Sequence, residues 1–90
     1  LNDSPQMMSA LRASLNSNDA DNFKRAAHSL KGMLRNFQAE SAAETAFELE
    51  QIGDQGKLDG ADQIVDSLTG QLEEVSRRLK QLVKQVSGSD

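Results

Sequence analysis

The amino-acid sequence predicts an all-α fold, an antiparallel up-down four-helix bundle formed by one domain. The composition favours helices over sheets, because 3% of the 90 residues are aromatic and there is one proline. Apolar residues recur at steps of three and four along four segments of the chain. Short connections between such segments favour antiparallel neighbours, as in a bundle.

The first two helices have recognisable start signals. Asp3 or Ser4 is expected to cap the first helix, with Pro5 at its first position. Asn18 or Asp19 is expected to cap the second. The predicted buried stripe of the second helix is Ala20, Phe23, Ala27, Leu30, Leu34 and Phe37.

The third helix is expected from about Ala39 to Ile52, with Gly53 and Gly56 as its stop, and the fourth from near Asp59. The predicted inward side of the third helix is Ala39, Ala42, Ala43, Ala46, Phe47, Leu49 and Ile52. That of the fourth is Ala61, Ile64, Leu68, Leu72, Val75, Leu79, Leu82 and Val86. We expect the domain to cover residues 1–86 and residues 87–90 to form a flexible tail.

Composition and charge exclude several classes of function. The net charge of −4 argues against a nucleic-acid binder, which usually presents a basic face. The absence of cysteine excludes disulfides, thiolate catalysis and cysteine-based zinc sites. No apolar run approaches the roughly 18 residues of a membrane span, and the N-terminus lacks a signal-peptide pattern. We therefore expect a cytoplasmic monomer, and the start at Leu1 suggests a part of a longer protein.

The single histidine, His28, is expected on the solvent face of the second helix. At about 100° per residue it lies about 140° from Phe23, the centre of the buried stripe. A histidine that served core packing would lie on the stripe itself. We therefore regard His28 as a candidate functional residue.

Cations surround His28 on the predicted helix surface. Lys24 and Arg25 lie one turn before it, Lys31 one turn after it and Arg35 two turns after it. An imidazole among cations suits a dianionic phosphoryl group. One histidine without paired carboxylates beside it does not complete a metal site, so no metal is expected in this chain.

Gly32 follows His28 by one helical turn. A glycine inside a helix costs about 1 kcal/mol relative to alanine. Its predicted position is opposite the buried stripe, which favours access to the ring over close helix packing. We infer that the missing side chain leaves room for a second protein beside the imidazole.

Residues 27–32, with the sequence AHSLKG, resemble the H-x-L-K-G motif of histidine-containing phosphotransfer (HPt) domains. The similarity extends from Asp19 to Leu49 and Glu50, and the family's four-helix bundle would account for nearly the whole chain. The resemblance implies that His28 accepts the phosphoryl group, that Lys31 accommodates its oxygens and that Gly32 admits a receiver domain.

Two positions depart from the family pattern. Many members carry a glycine ten residues after the histidine, where this chain has Gln38. Arg35 stands where a small residue is common. Both are expected near the docking surface, so they concern partner choice more than transfer chemistry.

The resemblance implies a phosphorelay intermediate of two-component signalling, which takes a phosphoryl group from a receiver aspartate and passes it to another. Lys31, with Lys24 or Arg35, would supply part of the positive charge. No carboxylate cluster accompanies His28 in the sequence, so Mg²⁺ is expected in the partner receiver. No phosphate-binding glycine loop is present, so we expect no ATP-dependent kinase activity. A hybrid sensor kinase in the same polypeptide is a candidate partner.

Two alternatives remain open at this point. A non-catalytic helical interaction module would show the same apolar stripes and would be indifferent to His28→Gln. A histidine-kinase dimerisation domain also presents a helical histidine, but those domains resemble H-E-x-R-T-P. Here Leu30, Lys31 and Gly32 follow the histidine instead.

Overall fold

The structure, a computed structural model, describes the backbone of residues 4–88 and the side-chain surroundings of residues 5–80. Its four helices are α1 (Ser4–Asn16), α2 (Ala20–Asn36), α3 (Glu40–Gln55) and α4 (Ala61–Gly88). Each helix packs against the next one in the chain, and α4 also packs against α1. This arrangement confirms the predicted all-α four-helix bundle, and residues 4–88 contain no strand.

The helix starts follow the capping signals closely. The Asp19 carboxylate accepts a hydrogen bond from the backbone N–H of Asn22 at 3.2 Å and so caps α2. Ser4 is the first residue of α1, and the alternative cap Asp3 lies outside the described residues. The fourth helix begins at Ala61, two residues after the predicted start.

The prediction that Gly53 stops α3 is wrong. The helix continues to Gln55 and ends at Gly56, whose φ of 78° lies in the left-handed region. Gly53 is buried, and a Cβ placed there would lie 2.9 Å from both the backbone nitrogen and the Cβ of Lys24. Its role is therefore to let α3 approach the backbone of α2 closely.

The core consists of apolar side chains from all four helices and from the connection before α4. Its buried members are Leu11, Phe23, Ala27, Leu30, Leu34, Ala42, Ala43, Ala46, Leu49, Leu58, Ala61, Val65, Leu68 and Leu72. Small alanines dominate the α3 contribution, which allows neighbouring helices to pack closely. The alternating steps of three and four thus predicted most of the buried positions.

Two phenylalanines predicted as core are exposed instead. Phe37 is 46% exposed because it is the C-cap residue of α2, beyond the last helical turn. Phe47 is 42% exposed because it lies about 100° around α3 from the buried Ala46. Of the three aromatic rings, Phe23 alone belongs to the core.

The corner between α2 and α3 contains one departure from the family pattern, at a position whose conformation favours glycine. Gln38 adopts a φ of 58°, in the left-handed region that glycine enters without steric cost. The backbone N–H of Gln38 donates to Arg35 O at 3.0 Å, and that of Ala39 donates to Leu34 O at 2.9 Å. The chain therefore makes this turn with a glutamine.

A polar link joins α1 to α4. One guanidinium nitrogen of Arg12 donates to the Asp66 carboxylate at 3.1 Å and to the Thr69 hydroxyl at 2.8 Å. Both charged side chains are largely exposed, so this link contributes little to stability.

The long α4 reaches Gly88 and so includes the first two residues of the predicted tail, 87–90. Residues 89–90 lie outside the described residues, as do the side chains of Leu82 and Val86. The domain limit at residue 86 stays a prediction. Over the described residues, none of the helices combines the length and apolar character needed to cross a bilayer.

Candidate functional site

His28 lies in the middle of α2 with its side chain 67% exposed. The fully buried residues Ala27 and Leu30 lie on the opposite side of α2, about 100° and 160° around the helix from His28. The ring therefore faces solvent, as the position relative to the apolar stripe predicted. An imidazole at this place is accessible to a second protein.

Glu50, from α3, reaches across to the ring. Its Oε2 lies 3.0 Å from Nδ1 of His28. An ionised carboxylate can only accept hydrogen bonds, so Nδ1 carries the proton and its N–H donates a hydrogen bond to Glu50. In the neutral imidazole, Nε2 then has a free lone pair and is the nucleophilic nitrogen.

The second oxygen of Glu50 is bound by Lys31. The Lys31 Nζ lies 2.7 Å from Glu50 Oε1 and 4.9 Å from the centre of the Phe47 ring. Its side chain is 13% exposed, and that of Glu50 is 16% exposed. The ammonium is thus mostly removed from water and held between a carboxylate and an aromatic face.

This ion pair sets the charge of Glu50. The contact with the Lys31 ammonium is the main cause that holds the pKa of Glu50 below its usual value, and the contact with His28 acts in the same direction. Partial burial raises the pKa of Glu50, with an effect smaller than that of Lys31 but larger than that of the His28 contact. Glu50 is therefore ionised near neutral pH and accepts the hydrogen bond from the Nδ1–H of His28.

The lowered pKa predicts acid sensitivity of the bundle. The pKa of Glu50 is lower in the folded chain than in the unfolded chain, where it is near 4.5. The stability that the ion pair contributes is therefore complete above about pH 4.5 and is lost as pH falls through the folded-state pKa. Urea unfolding of the wild type and of Glu50→Gln from pH 7 to pH 3 should show a stability difference that narrows below about pH 4.5. A constant difference would contradict this assignment.

Lys24 forms a salt bridge with another carboxylate of α3, that of Asp54. Its Nζ lies 2.8 Å from Asp54 Oδ1, and the Asp54 hydrogen bond raises the pKa of Lys24.

Arg35 lies about 10 Å from His28 along the α2 axis. There it borders a separate depression with Glu40 and Glu44. Of the four predicted phosphoryl- or partner-binding residues, Lys24 and Lys31 thus form ion pairs and Arg35 is remote from the ring.

A shallow depression of about 720 Å³ surrounds the ring. It is lined by Asp21, Lys24, Arg25, His28, Ser29 and Glu50. The described residues contain no cluster of three histidine, aspartate or glutamate side chains suited to a metal ion. The depression is open, polar and of mixed charge, which suits a charged group presented by a partner.

A comparison with family models finds the Hpt domain over residues 1–88. The chain belongs to the Hpt domain family. Hpt domains perform phosphotransfer in two-component signalling and interact with receiver domains. Searches of curated proteins and of solved structures found no significant match.

Gly32 leaves the surface of this Hpt domain bare beside the histidine. Apart from its chain neighbours and the backbone of its own helix, a Cβ at this position would meet no atom within 4 Å. The glycine is therefore not required for close packing, in contrast to Gly53. This observation supports the interpretation that Gly32 provides access, which stays a prediction.

Glu50 is a site residue of the Hpt domain that the sequence did not mark. The family similarity extended to Glu50, but no carboxylate was expected beside His28. A signal was available in the antiparallel packing of α2 and α3. His28 lies ten residues before the corner residue Gln38 and Glu50 twelve residues after it, so the two face one another across the helix pair.

Proposed function

We propose that this chain is a phosphorelay intermediate whose His28 accepts a phosphoryl group from a receiver aspartate and delivers it to another receiver aspartate. The observation that carries the proposal is an exposed imidazole whose Nδ1 is held by an ionised carboxylate. The free Nε2 then faces the partner. The open surface at Gly32 leaves space for that partner to approach.

The transfer step uses few groups of the chain. Nε2 of His28 attacks the phosphorus of the aspartyl phosphate, the bond from phosphorus to the carboxylate oxygen breaks, and its electron pair stays on the aspartate. The Nδ1 proton remains between the ring and Glu50, which balances the positive charge that develops on the imidazole. The reverse step delivers the group to the acceptor receiver through the same arrangement.

We assign the remaining catalytic charge to the receiver. Both carboxylate oxygens of Glu50 are already used, one by His28 and one by Lys31. Mg²⁺ would accordingly be bound by carboxylates of the receiver, where it neutralises the phosphoryl oxygens. The chain itself would have no activity on ATP.

The partners of this proposal are response-regulator receiver domains, and the donor receiver is a candidate part of a hybrid sensor kinase in the same polypeptide. One chain forms the whole site from α2 and α3, which supports action as a monomer. The expected compartment is the cytoplasm, where receiver domains operate. A non-catalytic interaction module is the alternative, and it would not need the contact between Glu50 and His28.

The test is phosphotransfer from a panel of receivers labelled on their aspartate. We expect label to move to the wild-type chain and, from there, to a second unlabelled receiver. His28→Gln should take up no label, because it lacks the nucleophilic nitrogen, while its unfolding curve should match that of the wild type at this exposed position.

Two outcomes would count against the proposal. Labelling of His28→Gln to the same level as the wild type would show that another residue is modified. A wild-type chain that binds receivers but takes up no label from any of them would favour the interaction module.

A further inference from the structure

The cations around His28 fall on two sides of its ring. At about 100° per residue, Lys24, Lys31 and Arg35 lie 20–60° from His28 on one side of α2. Arg25 and Gly32 lie about 40–60° away on the other side, followed by Ser29 at about 100°. The two sides therefore offer different surroundings to a group bound on the ring.

The first side faces α3, and two of its cations are already paired with carboxylates of that helix. Glu50 holds Lys31 at 2.7 Å and His28 at 3.0 Å, and Asp54 holds Lys24 at 2.8 Å. A dianionic phosphoryl group on this side would meet two carboxylates whose charges already neutralise the lysines. Coulomb repulsion therefore disfavours it there.

The second side faces α1 and is open. Arg25 is exposed and, among the described residues, forms no salt bridge. It lines the depression that contains His28, although Asp21 lies in the same depression. Arg25 and Ser29 also line the groove between α1 and α2, so the two surfaces are continuous.

From this placement we infer that Arg25 is the cationic residue that contacts the phosphoryl group on Nε2 of His28. The inference rests on the proposed function and assigns a residue that the sequence motif did not mark. The guanidinium is permanently charged and presents two parallel N–H donors, which match two phosphoryl oxygens. Lys31 then acts through Glu50, as a positioning residue for the imidazole.

The experiment compares Arg25→Gln, Arg25→Lys and the wild type with two phosphodonors. One donor is a phosphorylated receiver, and the other is phosphoramidate, a small molecule that needs no docking surface. Arg25→Gln should slow labelling of His28 by about tenfold with both donors, the order expected for one charge-assisted hydrogen bond at an exposed site. The labelling rate of Arg25→Lys should fall between those of Arg25→Gln and the wild type, since lysine keeps the charge but loses the paired donors.

Arg78→Gln, an exposed change on α4 that removes the same charge, is the matched control and should label at the wild-type rate. Wild-type rates for Arg25→Gln would overturn the inference, as would an equal loss in Arg78→Gln. A loss with the receiver but not with phosphoramidate would also overturn it, because Arg25 would then contact the receiver instead of the phosphoryl group. A wild-type chain that labels with neither donor would instead remove the proposed function itself.

Discussion

Alanine in place of Gly53 is expected to lower the free energy of unfolding by up to about 2 kcal/mol, because an overpacked helix contact costs about 1–3 kcal/mol and the higher helix propensity of alanine returns about 1 kcal/mol. The new Cβ would lie 2.9 Å from the backbone nitrogen of Lys24, so α2 and α3 must separate. Urea denaturation at neutral pH measures the difference.

Gly70→Ala is the matched control for this prediction. Gly70 is also inside a helix, but a Cβ there would meet nothing within 4 Å. The variant should therefore be more stable than the wild type by about 0.5–1 kcal/mol, from propensity alone. If both variants gain stability, the close contact at Gly53 is not limiting and our account of the α2–α3 packing is incorrect.

Removal of the Glu50 side chain should slow phosphotransfer to His28 by about 10- to 100-fold, the range for loss of a group that orients a reacting imidazole. In Glu50→Ala the ring loses the acceptor that fixes its proton on Nδ1, so a fraction of the molecules carries the proton on the attacking nitrogen. The variant should raise the fraction of the Nε2–H tautomer, which ¹⁵N NMR of the imidazole reports directly. Stopped-flow transfer from a labelled receiver gives the rate.

Two further variants separate orientation from charge. Glu50→Gln keeps a hydrogen-bond acceptor for Nδ1 and should recover part of the rate. Glu48→Gln removes an exposed α3 carboxylate that forms no hydrogen bond or salt bridge with His28. Glu48→Gln should transfer at the wild-type rate. An unchanged rate in Glu50→Ala, with the fold intact, would show that the carboxylate has no part in the transfer.

The fold was predictable because apolar periodicity and capping residues act locally. The stripe through Phe23, Ala27 and Leu30 is buried as predicted, and Asp19 caps α2. The errors concern features that depend on neighbouring helices. Gly53 was taken for a helix stop because glycine is common there, but the close approach to Lys24 is a tertiary contact that no local pattern reveals.

The candidate site divides in the same way. The exposure of His28 and the open surface at Gly32 follow from their angles on one helix, so the sequence predicted them. The ion pair of Lys31 with Glu50 joins two helices and depends on their register. Lys31 was therefore expected to point at the phosphoryl group, whereas its ammonium lies against a carboxylate and an aromatic ring.

The α1–α4 and α2–α3 interfaces of the bundle differ in their contacts, and this difference predicts where partial unfolding begins. The α1–α4 interface includes the exposed link from Arg12 to Asp66. The α2–α3 interface combines close backbone packing at Gly53 with the ion pairs of Lys24 and Lys31. Partial opening should accordingly begin where α1 meets α4. The imidazole and its carboxylate partner would stay together in such half-open forms, so the reactive tautomer would outlast much of the tertiary structure around it.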